Sequence, residues 1–207
     1  MNILIKFLSK KNFLYFKKLI LHFSLKISGY KNFGNFYDTG EEYLLNEIKK
    51  NKIRICLDIG AHIGNFSKKL LEINGTKVIA FEPMNKTFKE LKKLKVKYKK
   101  KFECFHLALS NKKGKTKIFY TNSLSQLSSI TINLNKINFL RKKKIKKQQV
   151  TVDTLDNFAN RNKYLFKEKI NFIKIDTEGN DFKVLEGASE TIKKHKPKFI
   201  QIEMNYH

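Results

Sequence analysis

From residue 41 onwards, short runs of apolar residues alternate with longer segments in which apolar residues recur at helical spacing. The runs predict strands over residues 53–58, 77–81, 102–107, 115–120, 149–152, 171–175 and 198–202. The helical spacing predicts helices over residues 41–50, 65–73, 85–98 and 181–194. Strands that alternate with helices form mostly parallel sheets with helices on both faces, so we expect an α/β fold. Ligands of such folds bind at the carboxyl ends of the strands.

The first thirty residues follow a different pattern, because lysines interrupt their apolar residues every few positions. No uninterrupted apolar run reaches the ~20 residues that a membrane-spanning helix needs. Glycine, asparagine and aspartate cluster between residues 28 and 40, which marks a turn-rich boundary. We therefore expect a basic, apolar helical extension over residues 1–36 and one domain over residues 37–207. The extension fits a helix on an anionic membrane surface, or one that packs on the domain or on a second subunit.

The net charge of +26 suggests an anionic partner, such as nucleic acid, an acidic membrane or a phosphorylated substrate. Only three of the 44 basic residues are arginine, however, and lysine is the weaker residue for bidentate recognition of phosphates or bases. The excess of lysine therefore also fits a solvated surface. One lysine-rich stretch, residues 136–147, is expected to be a mobile loop.

The two cysteines, Cys56 and Cys104, both lie in apolar runs that predict strands. They form neither a disulfide framework nor the ligand spacing of a metal site. We therefore expect two buried thiols, a cytoplasmic location and no bound metal.

The first chemical signal is the run Asp58-Ile59-Gly60-Ala61-His62-Ile63-Gly64-Asn65, at the end of the first predicted strand of the domain. Gly60 lets the chain turn off the strand, and Gly64 lets the next helix start close beneath a ligand. Dinucleotide-binding loops carry glycine where His62 stands, and the His62 side chain would crowd a pyrophosphate. A nucleoside ligand without phosphates, such as S-adenosylmethionine, fits better, with Asp58 placed to attract its ammonium group.

Glu82 follows the next predicted strand and lies 24 positions after Asp58. About this spacing is expected for an acidic residue that grips ribose hydroxyls. A carboxylate can accept hydrogen bonds from both the 2′-OH and the 3′-OH, and Pro83 fixes the turn into the following helix. The alternative is that Glu82 is a solvated acid at the end of a strand.

Together with four further stretches, this loop resembles the FkbM family of methyltransferases, and the resemblance covers about residues 40–205. The stretches are 57–66, 81–83, 106–110 with Gly114, 152–156, and 172–179 with 184–188. The most specific part is the run Ile-Lys-Ile-Asp-Thr-Glu-Gly over residues 173–179. The resemblance implies a Rossmann-like class I fold and methyl transfer from S-adenosylmethionine to a hydroxyl acceptor, often on a sugar or glycan.

The resemblance also implies a set of site residues at the carboxyl edge of the predicted sheet. Those expected at the cofactor are Asp58, Gly60, Ala61, His62, Gly64, Asn65, Glu82, Pro83, Ala108 and Ser110. Asp176 and Glu178 would face the transferred methyl group, where a carboxylate can act as general base or can orient the hydroxyl. Alternatively, either carboxylate caps the following helix or holds the loop.

Other classes of function stay open at this point. The sheet of a class I methyltransferase usually continues with a helix and an antiparallel hairpin, whereas the last predicted strand ends at Ile202. Either this tail is missing or the sheet ends early, so one alternative is a non-catalytic remnant that binds the cofactor or a partner. A basic nucleic-acid-binding protein is another alternative. Nucleic-acid methylation is disfavoured, because the only prolines, Pro83 and Pro197, cannot form the Pro-Pro motif of amine-methylating enzymes.

Overall fold

The computed structural model describes residues 40–120, 128–129 and 146–202, together with positions 16, 19–21 and 23–24. The chain forms two compact units, Met1–Asn51 and Lys52–His207. The domain boundary expected between residues 36 and 37 lies outside the described residues and stays a prediction.

The first unit contains helix α1 (Gly40–Lys50). Acidic residues in its first turn and lysines in its last turn complement the partial charges at the two ends of the helix. The described positions between 16 and 24 are helical and exposed, and membrane association of this extension stays a prediction. Within the described part of the chain, no helix is both long and apolar enough to cross a membrane.

In the second unit, strands and helices alternate as the sequence pattern predicts. The strands are β1 (Ile55–Ile59), β2 (Lys77–Phe81), β3 (Phe102–Phe105), β4 (Ala108–Leu109), β5 (Gly114–Tyr120), β6 (Ser128–Ser129), β7 (Lys146–Asp153), β8 (Ile170–Ile175) and β9 (Phe199–Ile202). The helices are α2 (Asn65–Leu71), α3 (Asn85–Tyr98), α4 (Leu155–Arg161), α5 (Asp181–Glu186) and α6 (Ser189–His195).

Five of these strands form a sheet of order β3-β2-β1-β8-β9, in which every neighbouring pair is parallel. The chain runs from β1 to β2 and β3 on one side, and it continues on the other side of β1 with β8 and β9. The strand order therefore reverses between β1 and β8, and a ligand crevice is expected outside the carboxyl ends of these two strands. The expected Rossmann-like α/β fold is confirmed.

Helices cover both faces of the main sheet, and the alternation of side chains along β1 shows how. Ile55, Leu57 and Ile59 point to one face, where they join a buried cluster with residues of α4, α5 and α6. On the other face, Asp58 accepts a hydrogen bond from Ser67 of α2. The ring of Phe66, also in α2, lies 6.1 Å from that of Phe172 in β8.

A second, smaller sheet has the order β4-β7-β5-β6. Its central pair, β5 and β7, is antiparallel, whereas β4 pairs with β7 in parallel. Ile118, Val150 and Val152 form its buried side and pack with Met84 and Ala108. The second sheet thereby covers the start of α3 and contributes a wall to the crevice beside it.

The helix expected over residues 181–194 is wrong as a single element, because the chain breaks it into α5 and α6. The break is at Gly187, where a Cβ atom would lie 2.0 Å from the carbonyl oxygen of Ser110. This close approach of the β4 segment leaves no room for a side chain. The Asp156 carboxylate then accepts hydrogen bonds from the backbone N–H groups of Glu190 and Thr191, which starts α6 afresh.

The lysine-rich loop expected over residues 136–147 is wrong at its end, because Lys146 and Lys147 belong to β7. These lysines pair with Tyr120 and Phe119 of β5, so the antiparallel ladder extends further than the apolar run predicted. Residues 136–145 lie outside the described residues.

Candidate active site

A pocket lies at the carboxyl ends of β1, β2 and β8, where the strand order predicts a ligand crevice. It encloses about 660 Å³ of empty space, including the open solvent at its mouth. Its lining combines an apolar wall with three carboxylates. The described lining residues are Ile59, Gly60, His62, Phe81, Glu82, Pro83, Met84, Leu107, Ala108, Leu109, Ile118, Asp176, Thr177, Glu178 and Asn180.

The turn after β1 is held against the neighbouring strands by backbone hydrogen bonds. The N–H groups of Gly60 and Ala61 both donate to the carbonyl oxygen of Phe81, at 3.0 Å each. Gly60 has φ +82°, and a Cβ atom built on it would lie 1.8 Å from the carbonyl oxygen of Asp176. Glycine is therefore required at this position, because the loop after β1 passes directly over the end of β8.

Gly64 has φ +87°, and a Cβ atom there would lie within 2.7 Å of the side chains of Leu91 and Leu94 in α3. It therefore lets α2 start in close contact with α3, which is a packing role. Ala61 is buried, Asn65 is exposed, and neither residue lines the pocket. The structure thus brings Gly60 and His62 of this loop to the pocket, and not Ala61, Gly64 or Asn65.

His62 lines the pocket and adopts a left-handed backbone conformation, with φ 53°. Its backbone N–H donates to Oε2 of Glu82 at 2.8 Å, so the loop after β1 is joined to the end of β2. The ring nitrogen Nε2 is buried and has no hydrogen-bond partner among the described residues. It is therefore a polar group available to a ligand.

Glu82 is 95% buried and lies at the pocket wall. Its Oε1 accepts hydrogen bonds from the Met84 N–H and the Thr87 hydroxyl, and its Oε2 accepts one from the His62 N–H. Burial raises the pKa of Glu82, against the opposing effect of these donors. A carboxylate offers about four acceptor sites, so one site stays on Oε2 for a ligand hydroxyl.

Asp58 is fully buried and does not line the pocket. Its Oδ2 accepts a hydrogen bond from the Ser67 hydroxyl at 2.6 Å, whereas Oδ1 is buried without a partner among the described residues. Burial raises the pKa of Asp58, and the nearby Lys174 ammonium acts in the opposite direction. The expected contact between Asp58 and a cofactor ammonium group stays a prediction.

The chain turns beyond β8, and this turn carries Asp176 and Glu178 to the pocket. Asp181 holds the turn, since its carboxylate accepts from the N–H and hydroxyl of Thr177 and from the N–H of Gly179. Burial, with the neighbouring carboxylates of Asp176 and Asp181, raises the pKa of Glu178 to about 7. With this pKa, the protonated and the ionised forms of Glu178 are both populated near neutral pH.

Comparison with known families identifies the family to which the chain belongs. Residues 58–207 match the family model described as the methyltransferase FkbM domain, which covers more than half of the chain. The chain belongs to the FkbM methyltransferase family. The matched region begins at Asp58 and includes every pocket-lining residue.

The other comparisons add little to the family assignment. A structure from Pyrococcus horikoshii, named a "putative RNA methyltransferase", is similar with 20% identity and a TM-score of 0.30. The similarity covers 35% of this chain and 43% of that protein. No curated protein matches the sequence significantly.

In this FkbM-family chain, the remaining residues expected at the cofactor lie partly at the pocket and partly behind it. Ala108 lines the pocket, whereas Ser110 lies behind it and donates a hydrogen bond to Oδ1 of Asn180 at 3.3 Å. Pro83 lines the pocket, and its carbonyl oxygen lies 2.9 Å from Nε2 of His106. His106 is exposed and stacks on Phe88 with ring centroids 4.7 Å apart, outside the pocket.

Two polar residues that shape the site, Asn180 and Lys174, were not among the predicted site residues. Asn180 is buried and donates to the carbonyl oxygen of Leu109 at 2.9 Å, which ties the turn after β8 to β4. Lys174 is a buried lysine of β8 that lies 2.7 Å from Oδ2 of Asp176. The available signal for Lys174 was that it is the one charged residue in the strand Ile170–Ile175. Within the described residues, no cluster of His, Cys, Asp and Glu could hold a metal ion.

Proposed function

We propose that the pocket binds S-adenosylmethionine and that the chain transfers a methyl group to a hydroxyl of a sugar or glycan-type acceptor. The observation that carries this proposal is the charge of the pocket. Glu82, Asp176 and Glu178 line it, and no lysine or arginine is among its described lining residues. In a chain of net charge +26, an acidic pocket is a strong local exception.

This charge distribution discriminates between the two common nucleoside cofactors of such folds. A dinucleotide brings a pyrophosphate, and for this group the described pocket lining offers acidic residues and no lysine or arginine. S-adenosylmethionine brings a sulfonium and an ammonium group and no phosphate. Its adenine would find an apolar surface on Met84, Leu109 and Ile118, and a ribose hydroxyl can donate to the open acceptor site of Glu82.

When bound, S-adenosylmethionine supplies an electrophilic methyl carbon on a positively charged sulfur. The hydroxyl acceptor must lose its proton as its oxygen attacks, and the chain offers Glu178 as the proton acceptor. Its pKa of about 7 suits a general base at neutral pH. Asp176, ion-paired with Lys174 at 2.7 Å, is suited to accept a hydrogen bond from the acceptor and to orient it.

The acceptor class rests on the family resemblance and on the chemistry of the pocket. Two carboxylates side by side can accept hydrogen bonds from adjacent hydroxyl groups, and sugars present such pairs. Nucleic acid is the less favoured acceptor, because the acidic pocket would repel a phosphate backbone.

The first experiment is calorimetric titration of the purified chain with S-adenosylmethionine, and with NAD as the competing cofactor class. Glu82→Ala should weaken S-adenosylmethionine binding by about tenfold to a hundredfold, the typical value of a hydrogen bond to a charged group. The matched control is Glu103→Ala, which removes an acid of β3 that pairs with Lys95 and does not line the pocket. This control should bind like the wild type.

Binding of NAD in preference to S-adenosylmethionine, or unchanged affinity in a folded Glu82→Ala chain, would contradict the cofactor assignment. A screen with radiolabelled S-adenosylmethionine then tests the acceptor, with a panel of sugars set against an RNA oligonucleotide. Methylation of RNA alone would overturn the acceptor class and leave the cofactor assignment intact.

A further inference from the structure

Lys174 is the least expected charge in this part of the structure, because it lies in the interior strand β8 with only 9% of its side chain exposed. It pairs directly across the sheet with Asp58 of β1. Its ammonium group lies 2.7 Å from Oδ2 of Asp176 and 5.5 Å from the centre of the Phe66 ring. The ammonium group therefore lies among a buried carboxylate, a carboxylate of the pocket wall and an aromatic face.

A buried ammonium group is costly to the fold, since its desolvation is only partly offset by the carboxylates around it. An apolar residue of similar volume often serves a strand interior as well or better. Stability alone therefore does not account for a lysine in β8. Its placement one residue before the end of the strand, in contact with Asp176, points to a role at the pocket.

The charged groups around Glu178 indicate what Lys174 does at the pocket. Asp176 and Asp181 both disfavour its ionised form, and Lys174 is the charge that favours it. Across the pocket the lining adds Glu82 and His62, with Glu82 held by three hydrogen bonds and the His62 backbone N–H used in one of them. Among the described groups around Glu178, Lys174 is thus the cation that offsets the negative charges of Asp176 and Asp181.

We propose that Lys174 is a positioning residue that holds Asp176 at the pocket wall and places a cation beside the two carboxylates of that wall, Asp176 and Glu178. It acts through these two carboxylates and does not touch the acceptor. The proposal rests on the proposed function only in calling Glu178 the proton acceptor, since the effect of Lys174 on Glu178 exists without cofactor or acceptor.

The test is a direct titration of Glu178 by NMR of ¹³C-labelled glutamate carboxyl groups in the full chain, with Glu178→Gln to assign the signal. We expect an inflection near pH 7 in the wild type. Lys174→Met should move this inflection to higher pH, because it removes the cation that favours the ionised form of Glu178. Lys174→Arg keeps the charge and should stay close to the wild type.

The matched control is Lys77→Met, which removes a lysine of the same sheet that pairs with Glu168 at 2.6 Å and does not line the pocket. It should leave the Glu178 inflection unchanged. An unchanged inflection in folded Lys174→Met, or an equal shift in Lys77→Met, would overturn the proposal. If Lys174→Met does not fold, Lys174→Gln carries the same test, and failure of both to fold would make the charge a structural requirement and overturn the proposed role.

Because this titration uses neither cofactor nor acceptor, its failure is distinct from failure of the proposed function. A shifted Glu178 inflection in a chain that does not bind S-adenosylmethionine would retain the role of Lys174 and reject the cofactor. Normal binding of S-adenosylmethionine with no shift of the Glu178 inflection would retain the cofactor and reject the role of Lys174.

Discussion

Replacement of Gly60 by alanine tests whether the close passage of the β1 loop over β8 builds the site. The added Cβ atom would lie 1.8 Å from the carbonyl oxygen of Asp176, whereas Cβ atoms essentially never approach closer than 3.0 Å. The two segments must therefore separate by at least 1.2 Å, the difference of these two distances. This separation also strains the hydrogen bond from the Asp176 N–H to the Ile59 carbonyl oxygen, 3.0 Å long.

The expected loss of stability has two parts. A left-handed alanine costs about 1–2 kcal/mol relative to glycine. Forced overpacking typically costs about 1–3 kcal/mol more, so Gly60→Ala should lose about 2–5 kcal/mol. Gly75→Ala separates the two parts, because Gly75 has the same φ of +82° but no atom within 4 Å of a Cβ.

The assay is urea unfolding of both variants, followed by S-adenosylmethionine calorimetry under conditions where each is folded. Gly75→Ala should lose only the stability that a left-handed alanine costs, and it should bind S-adenosylmethionine like the wild type. Gly60→Ala should lose more stability and bind weakly, since a shift of about 1 Å at a site costs up to about a hundredfold in function. Equal stability and equal binding in the two variants would refute the claim that this contact shapes the pocket.

Two further predictions concern the turn after β8. The raised pKa of Glu178 means that the folded chain holds its proton more tightly than the unfolded chain, so its contribution to stability falls as the pH rises from about 4.5 to about 7. The free energy of unfolding of Glu178→Gln should therefore rise relative to that of the wild type as the pH increases from 5 to 8, as measured by urea unfolding. A difference between the two proteins that does not change with pH would contradict this. Asn180→Ala leaves the Leu109 carbonyl group without its buried donor and should cost about 1–3 kcal/mol. Asn162→Ala, which loses a similar bond to Phe158 at a half-buried helix end, should cost less, and equal losses would contradict the tie between β8 and β4.

The sequence predicted the main sheet because each of its strands is a separate apolar run, and because β1, β2 and β8 are each followed by a segment with helical spacing. β2 and α3 begin and end at the predicted residues, and β1 and β8 differ by one or two. Glu82 was found because it comes directly after such a strand, whereas the family resemblance pointed to Asp176 and Glu178 beyond the end of another strand. Parallel strands bring their carboxyl ends to one edge, so the three acids line one pocket.

The parts that were missed depend on contacts between distant segments. The break of the predicted helix 181–194 depends on Ser110, which is more than seventy residues earlier in the chain. The packing role of Gly64 depends on Leu91 and Leu94 of the next helix. No local pattern carries this information, and a motif at the right spacing does not tell which of its residues face the ligand.

The contrast between a basic chain and an acidic pocket limits what the lysines can do. A cationic cofactor gains nothing from a surrounding positive field, so the excess of lysine cannot serve its capture. If the lysines serve the proposed methyl transfer, we expect an acceptor that is negatively charged outside its reacting hydroxyl, such as a glycan with phosphate or on an anionic lipid. The rate at low acceptor concentration should then fall with added salt, while the affinity for S-adenosylmethionine should not. Rates that ignore both salt and acceptor charge would leave the lysines as a solvated surface.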